Sequence, residues 1–423
     1  MSQSSTLKLH NLCIHRINPQ LAVFNLNLSL ESLYLSKIHL FNSTTVINKK
    51  ITLLTIALGL WVCSCVEPFE LNIESALRIL TVDATLTDTT DEQNISLTES
   101  VNFNGSAYSQ PILKAKVEVI VGGSERLLLT EKGQGIYTLP STFKLKPGVN
   151  YKLVFSKADG TQYESTEDQV TKVPEIIGVH DEFKVDGVER GTNFFDPANY
   201  IYLDTQDPVG DKNNYLWTWK LWERQNVCAT CYNGRYFLNP VPARCREERA
   251  FVGQTFDYFC PSDCWDILAS KDLNVFTDIY SNGQPINNRL IAKIPYYNVR
   301  GALIEIKQQS ISPAAYRYFK LLADQVQNNG SLVDTPPAAL IGNIKNLTNP
   351  NESIAGFFMV ASVRTVRYWI DRKAAEGKNI NPIGLLDHPL SPEPMGNDLT
   401  RPPFAQCVSS QTRTPSRPNG WLN

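Results

Sequence analysis

The chain has 423 residues, and its 40 Lys+Arg against 42 Asp+Glu give a formal charge of −2. That balance leaves no basic footprint for nucleic acid. Hydrophobic residues make up 42% of the chain, enough for a packed core and too many for wholesale disorder.

Residues 1–46 mix Leu, Asn, Ser and His without a period. An export signal follows them rather than preceding them. We therefore read Met1 as a misplaced start, with residues 1–46 not translated and synthesis beginning near residue 46 or 47. A genuine cytoplasmic extension is the alternative. In 47–64, Lys49 and Lys50 precede an apolar run over 51–62, and Val62-Cys63-Ser64-Cys65 closes it. This is the layout of a bacterial lipoprotein signal peptide, cut before Cys65 and leaving Cys65 for lipidation. Two or more acyl chains there would hold the protein stably on a membrane. A transmembrane helix is the competing reading, but the run falls short of the ~20 residues needed to span a bilayer. A coincidental core segment is the other.

Residues 65–76 read as an acidic tether carrying Glu67, Glu70 and Glu74. Over 77–173, apolar alternation at Ala115, Val117, Val119 and Val121 predicts a half-buried strand. Gly122-Gly123, Gly133–Gly135, Pro147-Gly148 and Asp159-Gly160 supply turns between further strands near 136–139, 151–155 and 162–165. Short strands at such spacing predict an immunoglobulin-like or transthyretin-like β-sandwich.

Residues 174–423 read as a larger β-rich domain, giving a mainly β (β-rich α+β) chain. Strands are expected at 200–203 and 215–222. The loop between them holds Asp204, Asp207 and Asp211, which could suggest calcium, but it lacks the spacing, Gly and terminal Glu of an EF-hand. Tyr215, Trp217, Trp219 and Trp222 are expected to share one aromatic face, as core or as a ligand platform. One helix is expected near 313–329, with Ser312 as N-cap, Pro313 at the first position and Gly330 as C-cap. Its apolar stripe is Ala315, Phe319, Leu322 and Val326. Strands are expected at 357–363 and 366–370, and the Pro- and Asn-rich tail from Asn379 should wrap the surface.

Cys228, Cys231, Cys245, Cys260, Cys264 and Cys407 remain after the signal and anchor are set aside. An even number in an exported chain points to disulfides, five of the six lying in the insert 228–264. Zinc thiolates and a redox CxxC at Cys228–Cys231 are the competing readings. Beyond residue 65 the histidines are His180 and His388, and no nucleophile elbow, HExxH, Walker loop or GxGxxG is present. No catalytic residue, metal site or cofactor is assigned.

The block Tyr316-Arg317-Tyr318-Phe319-Lys320-Leu321-Leu322, then Asn328-Asn329-Gly330-Ser331-Leu332-Val333-Asp334, Pro336-Pro337 and Gly342-Asn343-Ile344, resembles the Bacteroidota lipoproteins grouped as domain of unknown function 4249. Asn349-Pro350-Asn351-Glu352, Gly356-Phe357-Phe358, Cys65-Val66-Glu67-Pro68 and Cys264-Trp265 are similar to it as well. The family commonly closes with a Cys-x2-Cys pair. Here Val408-Ser409-Ser410 follows Cys407, so the comparison implies that Cys407 bridges back into the cluster. The resemblance also implies an outer-membrane lipoprotein, facing the periplasm or the cell surface, encoded near a TonB-dependent receptor. The expected function is non-enzymatic binding of a ligand or partner as an accessory to uptake. A glycan- or peptide-acting enzyme with an unrecognised site, or a purely structural envelope protein, are the alternatives.

Overall fold

The computed structural model describes residues 78–422 except 104–105, 192, 211, 239–242, 328–339 and 395–403. The segment 1–46, the signal 47–64, Cys65, the tether 65–76, Asp211 and the C-cap Gly330 lie outside the described residues. Among those described, strands dominate and Pro313–Gln327 is the single α-helix. No described helix is long and apolar enough to cross a membrane.

An 11-stranded sheet organises the chain. Its path runs Arg413–Thr414, Trp265–Ala269, Asn214–Arg224, Ala302–Ser310, Ile354–Ile370, Ile79–Thr87, Asn94–Phe103, Ile136–Thr138 and Thr130–Gly133. A six-stranded sheet, including Lys116–Val121, Asn150–Ser156 and Gln162–Ser165, faces the end of that path carrying Ile79–Thr87, Asn94–Phe103 and Ile136–Thr138. Period-two alternation buries Leu80, Val82, Ala84 and Leu86 on one strand and Tyr151, Leu153 and Phe155 opposite, closing one core. A three-stranded sheet of Ile176–Gly191, Phe194–Gln206 and Pro285–Pro295 covers the other end, around Asn214–Arg224 and Ala302–Ser310, with Ile201, Leu203 and Ile294 packed on Trp217, Ile304 and Ile306.

Two ladders link the stretch 77–173 to the C-terminal region. Ile79–Thr87 runs parallel to the first half of Ile354–Ile370, from Leu80↔Ile354 to Thr87↔Ala361. Ile344–Asn346 adds to Gln162–Ser165. The second half of Ile354–Ile370 then pairs antiparallel with Ala302–Ser310, from Ser362↔Ser310 to Ile370↔Ala302. The two strands expected at 357–363 and 366–370 are therefore one. The polar Arg364 and Thr365 mark a change of facing, from a largely buried half to a half-exposed one, not an end of the ladder.

Side chains satisfy the backbone where this strand changes partner. Asp88 accepts from Val363 N at 2.8 Å and Ser362 Oγ at 2.6 Å, and Asp88 N donates to Ala361 O. Asn343 pairs with both backbone groups of Phe358, each at 2.8 Å, and buried Asp168 accepts from Val360 N. Gly356 has no substitute here. Its φ is +98°, and a Cβ would meet Val82 O at 1.9 Å.

The aromatic strand divides its residues between two cores. Tyr215 and Trp217 are fully buried, with Trp219 beside them on the same face. Trp222 breaks the period of two, so it faces the other way and packs with Trp265, Leu303 and Trp421. The expected single aromatic face is corrected accordingly.

The helix begins as expected, with Ala315 N donating to Ser312 Oγ at 3.3 Å. Its buried stripe is rotated from the one read in sequence. Ala315, Tyr318 and Ala323 are buried, Phe319 and Leu322 are partly so, and Val326 is 62% exposed. Tyr318 lies 5.0 Å from Phe357 with the rings tilted and meets Phe319 edge-on at 5.3 Å. Tyr318→Ala should therefore cost about 3–5 kcal/mol, as for other buried aromatics, in urea melts. Val326→Ser should stay within about 0.5 kcal/mol. Equal effects would contradict this facing of the helix.

Arg372 and Glu223 form an ion pair with both side chains fully buried. Arg372, at φ +59°, also donates to Asn298 O at 2.9 Å and Arg300 O at 3.0 Å. Burial outweighs the attraction of Arg372 and pushes Glu223 up to about 7. The folded protein thus holds this proton more tightly than the unfolded chain. The resulting stabilisation is full below the ordinary glutamic-acid range and is lost as pH rises through about 7. The wild type minus Glu223→Gln difference in unfolding free energy should fall between pH 4.5 and 8. A flat difference would refute the assignment. Arg372→Met should cost about 3–5 kcal/mol at neutral pH, by removing the partner of a fully buried glutamate.

Candidate ligand-binding site

The second sandwich does not close at one end. Asn214–Arg224 supplies Trp217 and Trp219 as a floor, and Pro285–Pro295 supplies a wall with Arg289, Ile291 and Lys293. Residues 272–275 form the opposite wall, leading into the edge strand Asn274–Thr277. The helix reaches over with Lys320, Ala323 and Asp324. The cavity so framed is about 550 Å³, within the range of small-molecule sites.

Arg289 dominates its chemistry. The guanidinium carbon lies 5.2 Å from the Trp217 ring and 5.4 Å from the Phe276 ring. Trp217 is itself fixed, since its Nε1 donates to Gln308 Oε1 at 2.9 Å. Asn274 joins the two walls. Its Nδ2 donates to Leu290 O at 2.8 Å, while its Oδ1 accepts from Arg289 Nε at 3.1 Å and from Nη2. Nη2 also donates to Val275 O at 3.2 Å. The remaining nitrogen, Nη1, hydrogen-bonds to no described protein group and is open to solvent. No carboxylate among the described residues pairs with Arg289 or with Lys293, whose Nζ lies 5.0 Å from the Tyr200 ring. Lys320, by contrast, is paired with Asp324. Burial lowers Arg289 from the usual guanidinium value. The cavity therefore presents a partly buried, oriented cation with an unused donor beside apolar walls.

The residues singled out in sequence fall elsewhere. Asp204 and Asp207 are not gathered into one site. Asp204 accepts from Asn288 N at 2.6 Å and stands 3.8 Å from exposed His180. Asp207 turns inward, accepting from Tyr215 Oη and from Gly283 N at 2.8 Å. There it meets Asp278, a contact no spacing foretold. Burial, then the neighbouring Asp278, raises the Asp207 carboxyl. His388 lies 3.6 Å from buried Asp257, with Nδ1 2.9 Å from Pro389 O.

All six expected cysteines are paired. Cys228–Cys260 staples the ribbon of Val227–Tyr232 with Thr255–Phe259, and Cys231–Cys245 ties that ribbon to Gly234–Phe237 with Arg244–Glu247. Cys264–Cys407 anchors the tail, across a sequence separation of 143. The sulfurs of Cys228, Cys260 and Cys264 lie within 4.8 Å of one another, so two bridges are adjacent. Closing loops of 14 and 143 residues should stabilise by about 3 and about 5 kcal/mol through the unfolded chain. The double variant Cys264→Ala/Cys407→Ala should therefore lose more stability than Cys231→Ala/Cys245→Ala. Chemical denaturation would show the reverse order if the tail were not held by its bridge.

Nothing in the sequence marks Arg289. Asn288-Arg289-Leu290-Ile291 reads as an ordinary strand, and only the fold sets it between Trp217 and Phe276. The protein is thus a mainly β, disulfide-stapled sandwich protein with an open cavity at one end of its second core. The chain belongs to the family described as Domain of unknown function (DUF4249), whose model matches residues 66–367. No curated protein matches it significantly.

Proposed function

We propose that this protein is a non-enzymatic binding protein of the cell envelope, held at the outer membrane by lipid on Cys65 and working beside a TonB-dependent receptor. The observation that carries the binding role is the cavity with the unpaired Arg289. Its chemistry is suited to recognition: a fixed cation, an aromatic floor and apolar walls, with Asn274 holding the donor geometry. The lipoprotein signal 47–64 and the family resemblance support the envelope setting. A mainly β body beyond a short acidic tether suits a protein that presents a site near a membrane.

Cells fed a clickable palmitate should label the protein, and Cys65→Ala should abolish the label and release the protein from membranes. Label retained by that variant would remove the anchor from this reading. Affinity capture of the lipidated protein from outer membranes, read by mass spectrometry, should enrich a TonB-dependent receptor. Capture of none would remove the uptake role.

A further inference from the structure

We propose that the cavity takes an organic carboxylate, a single carboxyl group on an apolar body, bound through Nη1 of Arg289. This rests on the reading that the cavity is a ligand site. Three observations lead to an anion. Arg289 is withdrawn from solvent between two aromatic rings and has no acidic partner among the described residues. Burying such a charge is unfavourable unless something compensates it. Its Nε and Nη2 are spent on Asn274 and Val275, while Nη1 hydrogen-bonds to no described group and Arg289 lines the cavity. Lys293, also without an acidic partner, adds a second positive charge to the same wall.

The remainder of the lining sets the class. Leu273, Leu290, Ile291, Ala292 and Ala323 offer apolar contact, and Trp219 offers a ring face. A phosphate dianion is best matched by several converging donors, whereas here Arg289 offers one nitrogen and the Lys293 Nζ sits over the Tyr200 ring. One carboxylate satisfies that nitrogen and leaves the apolar body for the walls. The oppositely charged neighbours are Asp272, exposed at the rim, and Asp324, already engaged by Lys320. Neither competes for Arg289.

The test is equilibrium dialysis of the full chain against 4-phenylbutyrate and octanoate, each beside its primary amide. The acids should bind at least tenfold more tightly than the amides. Arg289→Gln should bring the acids to the level of the amides while leaving amide binding within twofold. Lys116→Gln, on the first sandwich and outside the cavity, should change acid binding less than threefold. If Arg289→Gln fails to fold, Arg289→Lys keeps the charge but loses the Asn274 fork, and acid binding should fall while amide binding holds. Equal binding of acid and amide by the wild type would overturn the carboxylate inference and leave the cavity reading standing. Binding of neither would overturn both. Inorganic phosphate displacing the acids at equal concentration would overturn the assigned class.

Discussion

The strand Ile354–Ile370 is the constraint on which the rest depends, because it serves two cores in succession. Its first half is hydrogen-bonded to Ile79–Thr87 and its second to Ala302–Ser310. A strand that changes partner midway exposes backbone groups at the exchange point, and buried unpaired groups are costly. Asp88, Asp168 and Asn343, from three separate segments, meet that need. The N-terminal core is therefore built partly by residues from the far end of the chain. A truncation before residue 354 would remove the parallel neighbour of Ile79–Thr87 along with the C-terminal core.

The cavity follows from the same arrangement. The three-stranded sheet covers the strands Asn214–Arg224 and Ala302–Ser310 but leaves the region of Trp217 and Trp219 to be walled by residues 272–275 and the helix. Elements of different origin meet there, so polar groups gather without pairing completely. Asn274 is the joint, bonded to both Leu290 and Arg289. The fully buried Arg372 is paired at close range with Glu223. Arg289 has no such partner among the described residues, and that singles out the cavity.

The bridges hold what the sheets do not. The insert 228–264 forms two small ribbons of two strands each, and isolated ribbons of that size are marginal in water. Disulfides at Cys228–Cys260 and Cys231–Cys245 fix them, and Cys264–Cys407 returns the tail to Trp265, where Trp421 packs at 5.7 Å.

Local chemistry was legible in the sequence wherever a short-range rule governs. Alternation gave the strands around 116–121, 150–156 and 162–165, and Ser312 with Pro313 gave the helix start. Cysteine parity in an export setting pointed to disulfides. Where two rules of comparable strength met, the reading slipped. The 3.6 period alone favoured Val326 over Tyr318, because it does not say which side meets Phe357. Trp222 stands at an odd spacing from Trp217 on an unbroken ladder, so regular alternation already turns it to the opposite face. Partners distant in sequence had no signal: Ile354–Ile370 with Ile79–Thr87, Asp207 with Asp278, Arg372 with Glu223. The sequence by itself determined the class of strands, the start of the helix and the oxidised state of the cysteines, since each depends on residue types and spacings within the chain. The tertiary structure alone decided that one strand serves two cores and that Arg289 lies between two rings with no acidic partner among the described residues, because pairing, burial and charge compensation are set by neighbours in space.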